Sequence, residues 1–334
     1  MHKKVKKCIA LMLAALMIVG FVPFVDIAPT TASAASVWGG SYSNDGGFYG
    51  SGPYYISTAN GLAYFAQTVK NGTTYSGKTV YLTVDCDMAN KSFTGLSGYG
   101  EAFKGTFDGQ NHTISNININ IRDNRVGLFR ITQNATIKNL VLSTVSVTGN
   151  ATGTGGLIGY AIDSVTVSNV RVYGAKITGN TNTGGLVGDS HKAVFSDCSF
   201  EGTVTSVGND IGGILGKSNK DGTSFTNCTV GTSSSKATIK TTDARGGGII
   251  GNYASNGTCA FTNSVVYANV NISGGPGGGF LGNTEGHTTA NNCLFNGTVT
   301  ASNNAGGIIG WVSDDEQILS SCTTLGTITS KGSG

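Results

Sequence analysis

Gly155-Gly156-Leu157-Ile158-Gly159 is a glycine pentad, GGLIG, that recurs along the chain with only its two central apolar residues changing. Successive copies start 29, 28, 35, 31 and 28 residues apart, and Val126-Gly127-Leu128-Phe129 is a weaker copy one period earlier. A near-constant period of this size is typical of a solenoid, and here it predicts about seven coils. The six full copies start at Gly155, Gly184, Gly212, Gly247, Gly278 and Gly306.

A polar marker follows each pentad by 12 to 16 residues, usually as an Asn or Asp beside a small or apolar residue. Alternating Val, Ile and Thr flank it, as in Val165 to Val167 and Val170 to Val172. This period of two in β-branched residues predicts strands. A unit of about 28 residues accommodates about three short strands, so each unit is predicted to form one coil of a parallel β-helix. The markers are Asn139, Asn169, Asp197, Asn227, Asn263, Asn292 and Ser321.

A leucine-rich horseshoe is the competing solenoid, suggested by Ile137 to Leu142. That fold needs a helical segment in every unit, and no helical period appears inside the repeats. The sequence therefore favours the β-helix.

Stacked coils explain why the same residues recur. Equivalent positions lie about 4.8 Å apart, so a corner that needs a positive φ or a close backbone approach needs it in every coil, and glycine meets either demand. One of the two apolar residues of each pentad is expected to point into the core. The Asn and Asp markers are expected at another corner, bonded to backbone groups. The pentad glycines predicted to be structural include Gly155, Gly156, Gly159, Gly184, Gly185, Gly188, Gly212, Gly213 and Gly216.

The region before the repeats predicts one helix, with Ser57 or Thr58 as its N-cap and Gly72 just beyond its end. Its apolar residues fall at helical spacing at Leu62, Phe65, Ala66 and Val69. Because the first coil of a β-helix exposes unpaired strand edges, a helix laid across it protects that end. We therefore predict an N-terminal cap at 35–101 and the β-helix at 102–334.

Residues 1–34 have the features of a secretory signal peptide. Four lysines at 3, 4, 6 and 7 precede an apolar run from Ile9 to Val25, and Ala32-Ser33-Ala34 supplies a cleavage site. Without this segment the formal net charge falls from +3 to zero, which gives no overall attraction to nucleic acid or an anionic membrane. No later apolar run is long enough to span a bilayer. We expect a secreted or cell-surface protein that is not integral to the membrane.

The segment from Phe103 to Gly109, FKGTFDG, is followed by His112-Thr113-Ile114. It resembles the opening of bacterial surface proteins that carry the GLUG motif, and the pentads resemble the motif that names this family. The resemblance implies that Phe107, Asp108, Gly109 and His112 are structural motif residues. It also implies a secreted or surface-displayed right-handed parallel β-helix, found in adhesin-like proteins and beside immunoglobulin A metallopeptidases.

The histidines exclude a metallopeptidase of that type. Such an enzyme needs H-E-x-x-H, because two His one helical turn apart bind zinc and the Glu activates water. His112, His191 and His287 are not followed by Glu, and no metal or cofactor is expected. His112 is predicted to be a structural hydrogen-bonding residue.

Polysaccharide lyases and hydrolases are the alternative function on this scaffold. They need acidic residues that converge on neighbouring coils. Acidic residues follow the pentads at unequal distances, and Asp210 and Asp243 precede pentads beside Arg245. Because these offsets differ, a solvated rim is favoured over a convergent site. We predict no catalytic residues and keep Asp189 and His191 as candidate ligand contacts.

Four cysteines, Cys198, Cys228, Cys293 and Cys322, occupy the same slot in their coils. This predicts an inward stack of free buried thiols, since the chain has no Cys-x-x-Cys spacing for a metal. Disulfides between adjacent coils remain the alternative in an exported protein, although in-register Cα atoms lie near the lower end of bridgeable separations.

Aromatic residues cluster in the predicted cap, and Trp311 follows the last pentad. Packing of the cap is the favoured use, and a platform that stacks on sugar rings is the alternative. We keep Trp311, Tyr54 and Tyr55 as candidate ligand contacts. The sequence as a whole predicts an adhesin-like protein without catalytic activity, which presents its β-helix to an extracellular glycan or to a host or envelope protein.

Overall fold

The computed structural model of the chain describes residues 34–96, 100–243, 245–313 and 316–332. The predicted signal peptide, apart from Ala34, lies outside the described residues. From Ala34 onward the chain forms one compact unit, and the predicted parallel β-helix is confirmed. Within the described ranges, no helix has the length and apolar character that crossing a membrane requires.

The predicted helix is confirmed as α1 (Ala59–Lys70), capped by the Thr58 side chain, which accepts the Gly61 N–H at 2.9 Å. Phe65 on its buried face packs against Phe103 and Phe107, with ring centroids 5.9 and 6.0 Å apart. The helix therefore covers apolar side chains of the first coils. The strands around it are β1 (Ser36–Val37), β2 (Phe48–Gly50), β3 (Tyr54–Ile56), β4 (Thr79–Leu82), β5 (Cys86–Asp87), β6 (Thr106–Asp108), β7 (Thr113–Ile121) and β8 (Phe129–Gln133).

The following coils are built of strands that range from two to 22 residues. The longest of them continue around corners without interruption. The first group is β9 (Thr136–Gly149), β10 (Thr152–Gly155), β11 (Ile158–Gly179), β12 (Thr181–Gly184), β13 (Val187–Ser196), β14 (Ser199–Ser206), β15 (Ile211–Gly212), β16 (Leu215–Ser218), β17 (Thr223–Thr226), β18 (Thr229–Val230), β19 (Ala237–Thr241), β20 (Gly246–Gly247) and β21 (Ile250–Tyr253). The second is β22 (Thr258–Thr262), β23 (Val265–Val266), β24 (Ala268–Ile272), β25 (Gly277–Gly278), β26 (Leu281–Thr284), β27 (His287–Asn291), β28 (Leu294–Phe295), β29 (Thr298–Ala301), β30 (Ala305–Gly306), β31 (Ile309–Val312), β32 (Gln317–Ser320), β33 (Thr323–Thr324) and β34 (Thr327–Ser330).

Neighbouring coils pair in parallel and in register, in a 28-stranded sheet and a six-stranded sheet that contains β10, β12, β15, β20, β25 and β30. The stack has about nine turns rather than the predicted seven. The count was too low because β4 and β6 already pair below β9, with Val80 opposite Phe107 and Phe107 opposite Ile137. A coil such as 211–241 holds five strands, β15 to β19, rather than three.

The pentads turn the chain from the smaller sheet into the larger one. A Cβ on Gly155 would lie 2.2 Å from the Ile158 carbonyl oxygen, and one on Gly185 would lie 2.1 Å from that of Gly213. Close approach is thus the demand that these glycines meet, and the positive-φ glycines of the described residues lie elsewhere. Leu157 and Ile158 are both fully buried, rather than one of them, because both sides of this turn are covered.

The Asn and Asp markers form a corner at which the backbone has a positive φ, for example 53° at Asn139 and 51° at Asn169. Their side chains bond to each other across coils instead of to backbone groups. Asn169 donates to Asn139 Oδ1 at 3.0 Å, and Asn227 donates to Asp197 Oδ1 at 2.9 Å. The prediction of a corner is confirmed, whereas the predicted bonding partner is wrong.

The opening motif begins this same ladder. Phe107 is fully buried, Asp108 Oδ1 accepts from Asn139 Nδ2 at 3.0 Å, and a Cβ on Gly109 would lie 2.4 Å from the Asn139 carbonyl oxygen. His112 Nδ1 lies 3.0 Å from Asp85 Oδ1 on the preceding coil. His112 therefore takes part in the structural hydrogen bonding that the sequence predicts.

Candidate functional site

The residue directly after each full pentad stands in register with its equivalents on the neighbouring coils. This register follows from the pentad, because each copy returns the chain to the larger sheet at the same point. Six side chains of differing chemistry are thereby placed in one line along the stack. We call Tyr160, Asp189, Lys217, Asn252, Asn283 and Trp311 the post-pentad row.

A second line lies two residues before each pentad, where the chain enters the smaller sheet. The residue that follows each member of this line pairs in register with its equivalent on the next coil, from Thr154 in the first coil to Ala305 in the last. Arg125 extends this line by one coil, since Val126 bridges to Thr154. We call Gly153, Asn182, Asp210, Arg245, Pro276 and Asn304 the pre-pentad row.

Hydrogen bonds join the two rows. Asn182 Nδ2 donates to Asp189 Oδ2 at 2.9 Å, and Asn252 Nδ2 donates to Asp210 Oδ2 at 3.3 Å. Arg245 Nε donates to Asp210 Oδ1 at 2.7 Å. These bonds hold the polar side chains in one geometry, in which Asn182, Asp210 and Asn252 are buried and Asp189, Lys217 and Arg245 are partly exposed.

Within the post-pentad row, the amide of Asn283 donates to Asn252 Oδ1 at 2.8 Å. Both side chains are buried, and this bond links neighbouring coils. The network of Asp210 therefore reaches Asn283, which lies directly below Trp311 in register.

Asp189 is the unusual member of the post-pentad row. Its Oδ1 is buried and has no hydrogen-bond partner among the described residues. Burial raises the pKa of its carboxyl group, although Asn182 and Lys217 act in the opposite direction. Burial also raises the pKa of Asp210, against the effect of Arg245. The structure thus brings together two carboxyl groups and Lys217, which influences both.

Two open cavities lie along these rows. The larger, of about 570 Å³, is lined by Trp311 and Asn283 from one row, by Arg245 and Pro276 from the other, and by Glu285, Asn303 and Asn304. The smaller, of about 170 Å³, is lined by Tyr160 and Asp189 together with Asn124, Arg125, Thr152 and Gly153. Each cavity therefore combines an aromatic ring with convergent polar groups, as ligand sites do.

His191 packs beside the smaller cavity. Its Nδ1 lies 3.2 Å from the Asp163 backbone N and 3.5 Å from Asp163 Oδ1, and its Nε2 lies 2.8 Å from the Tyr160 hydroxyl. Asp163 also accepts from Gln133 at 2.9 Å, and this bond is the main cause of its lowered pKa. His191 thus orients Tyr160 from the neighbouring coil.

Tyr54 and Tyr55 lie far from the rows in sequence, and other rings cover their faces. Tyr55 stands between Tyr49 and Tyr81, with ring centroids 5.4 and 5.6 Å apart at 22°. Tyr54 stacks on Phe48 at 5.6 Å. Because a sugar stacks on a free ring face, these two tyrosines suit cap packing, whereas Trp311 lines a cavity.

Sequence reasoning named Asp189 and Trp311 separately and missed the register that relates them. The signal is simple, since both directly follow the last glycine of a pentad. A comparison of acidic residues alone does not show this register, because the position after the pentad holds Tyr, Asp, Lys, Asn, Asn and Trp in successive coils. Within the described ranges, no group of three or more His, Cys, Asp or Glu side chains could hold a metal ion.

Comparisons with known proteins place the fold in context. No protein-family model matches the chain, so the resemblance to GLUG-motif proteins stays a prediction. Over 149 residues, or 41% of this chain, it is 32% identical to halomucin of Haloquadratum walsbyi, and the match spans 2% of halomucin. A solved structure from Bacteroides ovatus, titled a "putative immunoglobulin A1 protease", aligns with a TM-score of 0.56 and 16% identity over 82% of this chain and 85% of that one. The likeness supports a shared β-solenoid fold.

Proposed function

We propose that this chain is a secreted or cell-surface binding protein of the adhesin type, which presents its lateral surface to an extracellular glycan or protein. The observation that carries the proposal is the alignment of the two rows, with a cavity at Trp311 and another at Tyr160. Most of the repeat serves the scaffold, whereas these rows vary in chemistry from coil to coil. The similarities to halomucin and to the Bacteroides protein are consistent with this role.

Binding to arrayed glycans and purified extracellular glycoproteins tests the proposal. The chain from residue 35 onward is compared with a Lys217→Ala/Trp311→Ala variant and with Leu325→Ala, which removes an exposed side chain of the last coil outside the rows. Circular dichroism establishes that all three are folded. We expect the parent and Leu325→Ala to bind the same partner and the double variant to lose it. Absence of any partner, or equal binding by the double variant, would contradict the proposal.

A polysaccharide lyase or hydrolase is the second candidate, and the Asp189 carboxyl group is the observation that favours it. A raised pKa keeps a carboxyl group protonated closer to neutral pH, as a general acid requires, and Asp210 lies close enough to affect it. Release of reducing ends or unsaturated products from a polysaccharide panel, with and without calcium, tests this function. Turnover lost in both Asp189→Asn and Asp210→Asn would establish it in place of simple binding.

A further inference from the structure

Trp311 is the exposed tryptophan of this chain. It is 41% exposed and lines the cavity of about 570 Å³, whereas Trp38, the other tryptophan, is 1% exposed within the cap. An indole ring at an open cavity offers a large apolar surface that is wetted in the free protein. A flat apolar ligand surface, such as the C–H face of a sugar ring, would cover it.

Apart from Pro276, the other residues that line this cavity have polar side chains. Asn303 and Asn304 offer amides, which both donate and accept hydrogen bonds, and Arg245 and Glu285 add a donor and an acceptor group. Arg245 is already fixed by Asp210 at 2.7 Å. Such a set suits the hydroxyl or acetamido groups of a sugar, which need donors and acceptors together.

The charges along the site balance. Among the described residues, the charged members of the two rows are Lys217 and Arg245, which are matched by Asp189 and Asp210. A polyanionic chain is bound by an excess of basic side chains, and a polycation needs the reverse. The rows provide neither excess, so their chemistry fits an uncharged ligand.

The geometry fits an extended ligand. Successive members of the post-pentad row are one coil apart, about 4.8 Å, which is close to the rise per sugar of an extended β-linked glycan. Tyr160 and Trp311 lie five coils apart in this register, and hence about 24 Å apart. A cavity lies near each end of that distance.

We infer that the two rows bind one uncharged, extended glycan chain parallel to the coil axis, with a sugar ring stacked on Trp311. This inference rests on the proposed binding function and assigns its ligand class and its orientation.

Tryptophan fluorescence tests the inference directly, because Trp38 is buried and quenching by acrylamide reports mainly on Trp311. The probes are cello- and chito-oligosaccharides from the disaccharide to the hexasaccharide, with oligogalacturonate as the charged counterpart. We expect the neutral series to protect Trp311, with affinity rising about tenfold or more with length and little dependence on salt. Calorimetry should show about a tenfold loss of affinity in Trp311→Ala, a smaller loss in Trp311→Phe and none in Leu325→Ala.

The outcomes separate this inference from the proposed function. Binding of a protein partner that depends on the rows, without protection of Trp311 by any neutral oligosaccharide, would overturn the inference and leave the function standing. Preference for oligogalacturonate, or equal affinity for the disaccharide and the hexasaccharide, would also overturn it. Failure of every arrayed partner to bind would contradict both.

Discussion

Asn169 donates its side-chain amide to Asn139 Oδ1 on the neighbouring coil at 3.0 Å, and both residues have a φ near +50°. One residue type thus satisfies two demands at this corner. Asn tolerates the left-handed conformation better than most residues, and its amide can donate to one neighbour and accept from another.

Replacing Asn169 separates these two contributions. Asn169→Ala should lower the free energy of unfolding by about 2 kcal/mol, since it loses the favourable φ and the side-chain hydrogen bonds to Asn139 and Asn111. Asn169→Gly keeps the positive φ at low cost and should lose about 1 kcal/mol less. Urea unfolding measures both values. Equal losses in the two variants would show that the backbone conformation carries no weight.

The pentad predicts a large effect of a single methyl group. Gly185→Ala should destabilise the chain by about 3 kcal/mol, because its Cβ would lie 2.1 Å from the Gly213 carbonyl oxygen and 2.4 Å from Phe200 Cδ2. Gly39→Ala is the matched control, since its Cβ would make an ordinary contact at 3.6 Å from Asn60 Oδ1. Thermal unfolding should shift for Gly185→Ala alone, and a parent-like midpoint there would contradict the assigned close approach.

Asp189→Asn should stabilise the folded chain by about 1 to 2 kcal/mol at neutral pH, because it removes the cost of ionising a buried carboxyl group. The folded-state pKa of Asp189 is raised above the usual aspartate value of 3.8. Its neutral form therefore favours folding below that usual value, and this stabilisation is lost as pH rises through the folded-state pKa. The gain of the variant should therefore vanish in acid and grow with pH.

Asp163→Asn is the control of opposite sign. The pKa of Asp163 is lowered, mainly by the hydrogen bond from Gln133, so its carboxylate stabilises the fold above the unfolded-state pKa and loses that effect in acid. This variant should lose stability at neutral pH. Urea midpoints across pH check both substitutions, and a gain that does not change with pH for Asp189→Asn would contradict its burial as the cause.

The cysteines should differ in reactivity. All six described cysteines are unbridged, and five are buried, with Cys322 partly exposed. Burial raises the pKa of Cys86 and of Cys293 to about 12, and the thiolate is the reactive form. In the chain from residue 35 onward, iodoacetamide should label Cys322 alone when the chain is folded and all six cysteines in denaturant. A non-reduced mass two hydrogens below the reduced value would instead reveal a disulfide.

The fold was predictable because stacking imposes one requirement on every coil. The recurrence of Gly155 and its equivalents reveals that requirement without any knowledge of the contacts, and the Asn139 series marks a second corner in the same way. The helix followed from the spacing of residues such as Leu62 and Phe65. Each of these signals is local in sequence and repeats or is bounded by a capping residue.

Other features depend on contacts that the sequence does not display. The first coils carry no pentad, because the smaller sheet begins only at β10. A count of pentads therefore does not include the coils that pair through Val80 and Phe107. The asparagine ladder required knowing that successive corners superimpose. The proximity of Asp189 to Asp210 was hidden because one follows a pentad and the other precedes the next pentad.

Hydroxyl-radical footprinting with mass spectrometry tests the central claim, that the two rows form the binding surface. Trp311 and Tyr160 report on the two ends of the post-pentad row, and Tyr49, which is 50% exposed on the cap, reports on a distant surface. With a bound oligosaccharide, we predict reduced oxidation of Trp311 and Tyr160 and unchanged oxidation of Tyr49. Protection of Tyr49 with no change at Trp311 and Tyr160 would contradict the account.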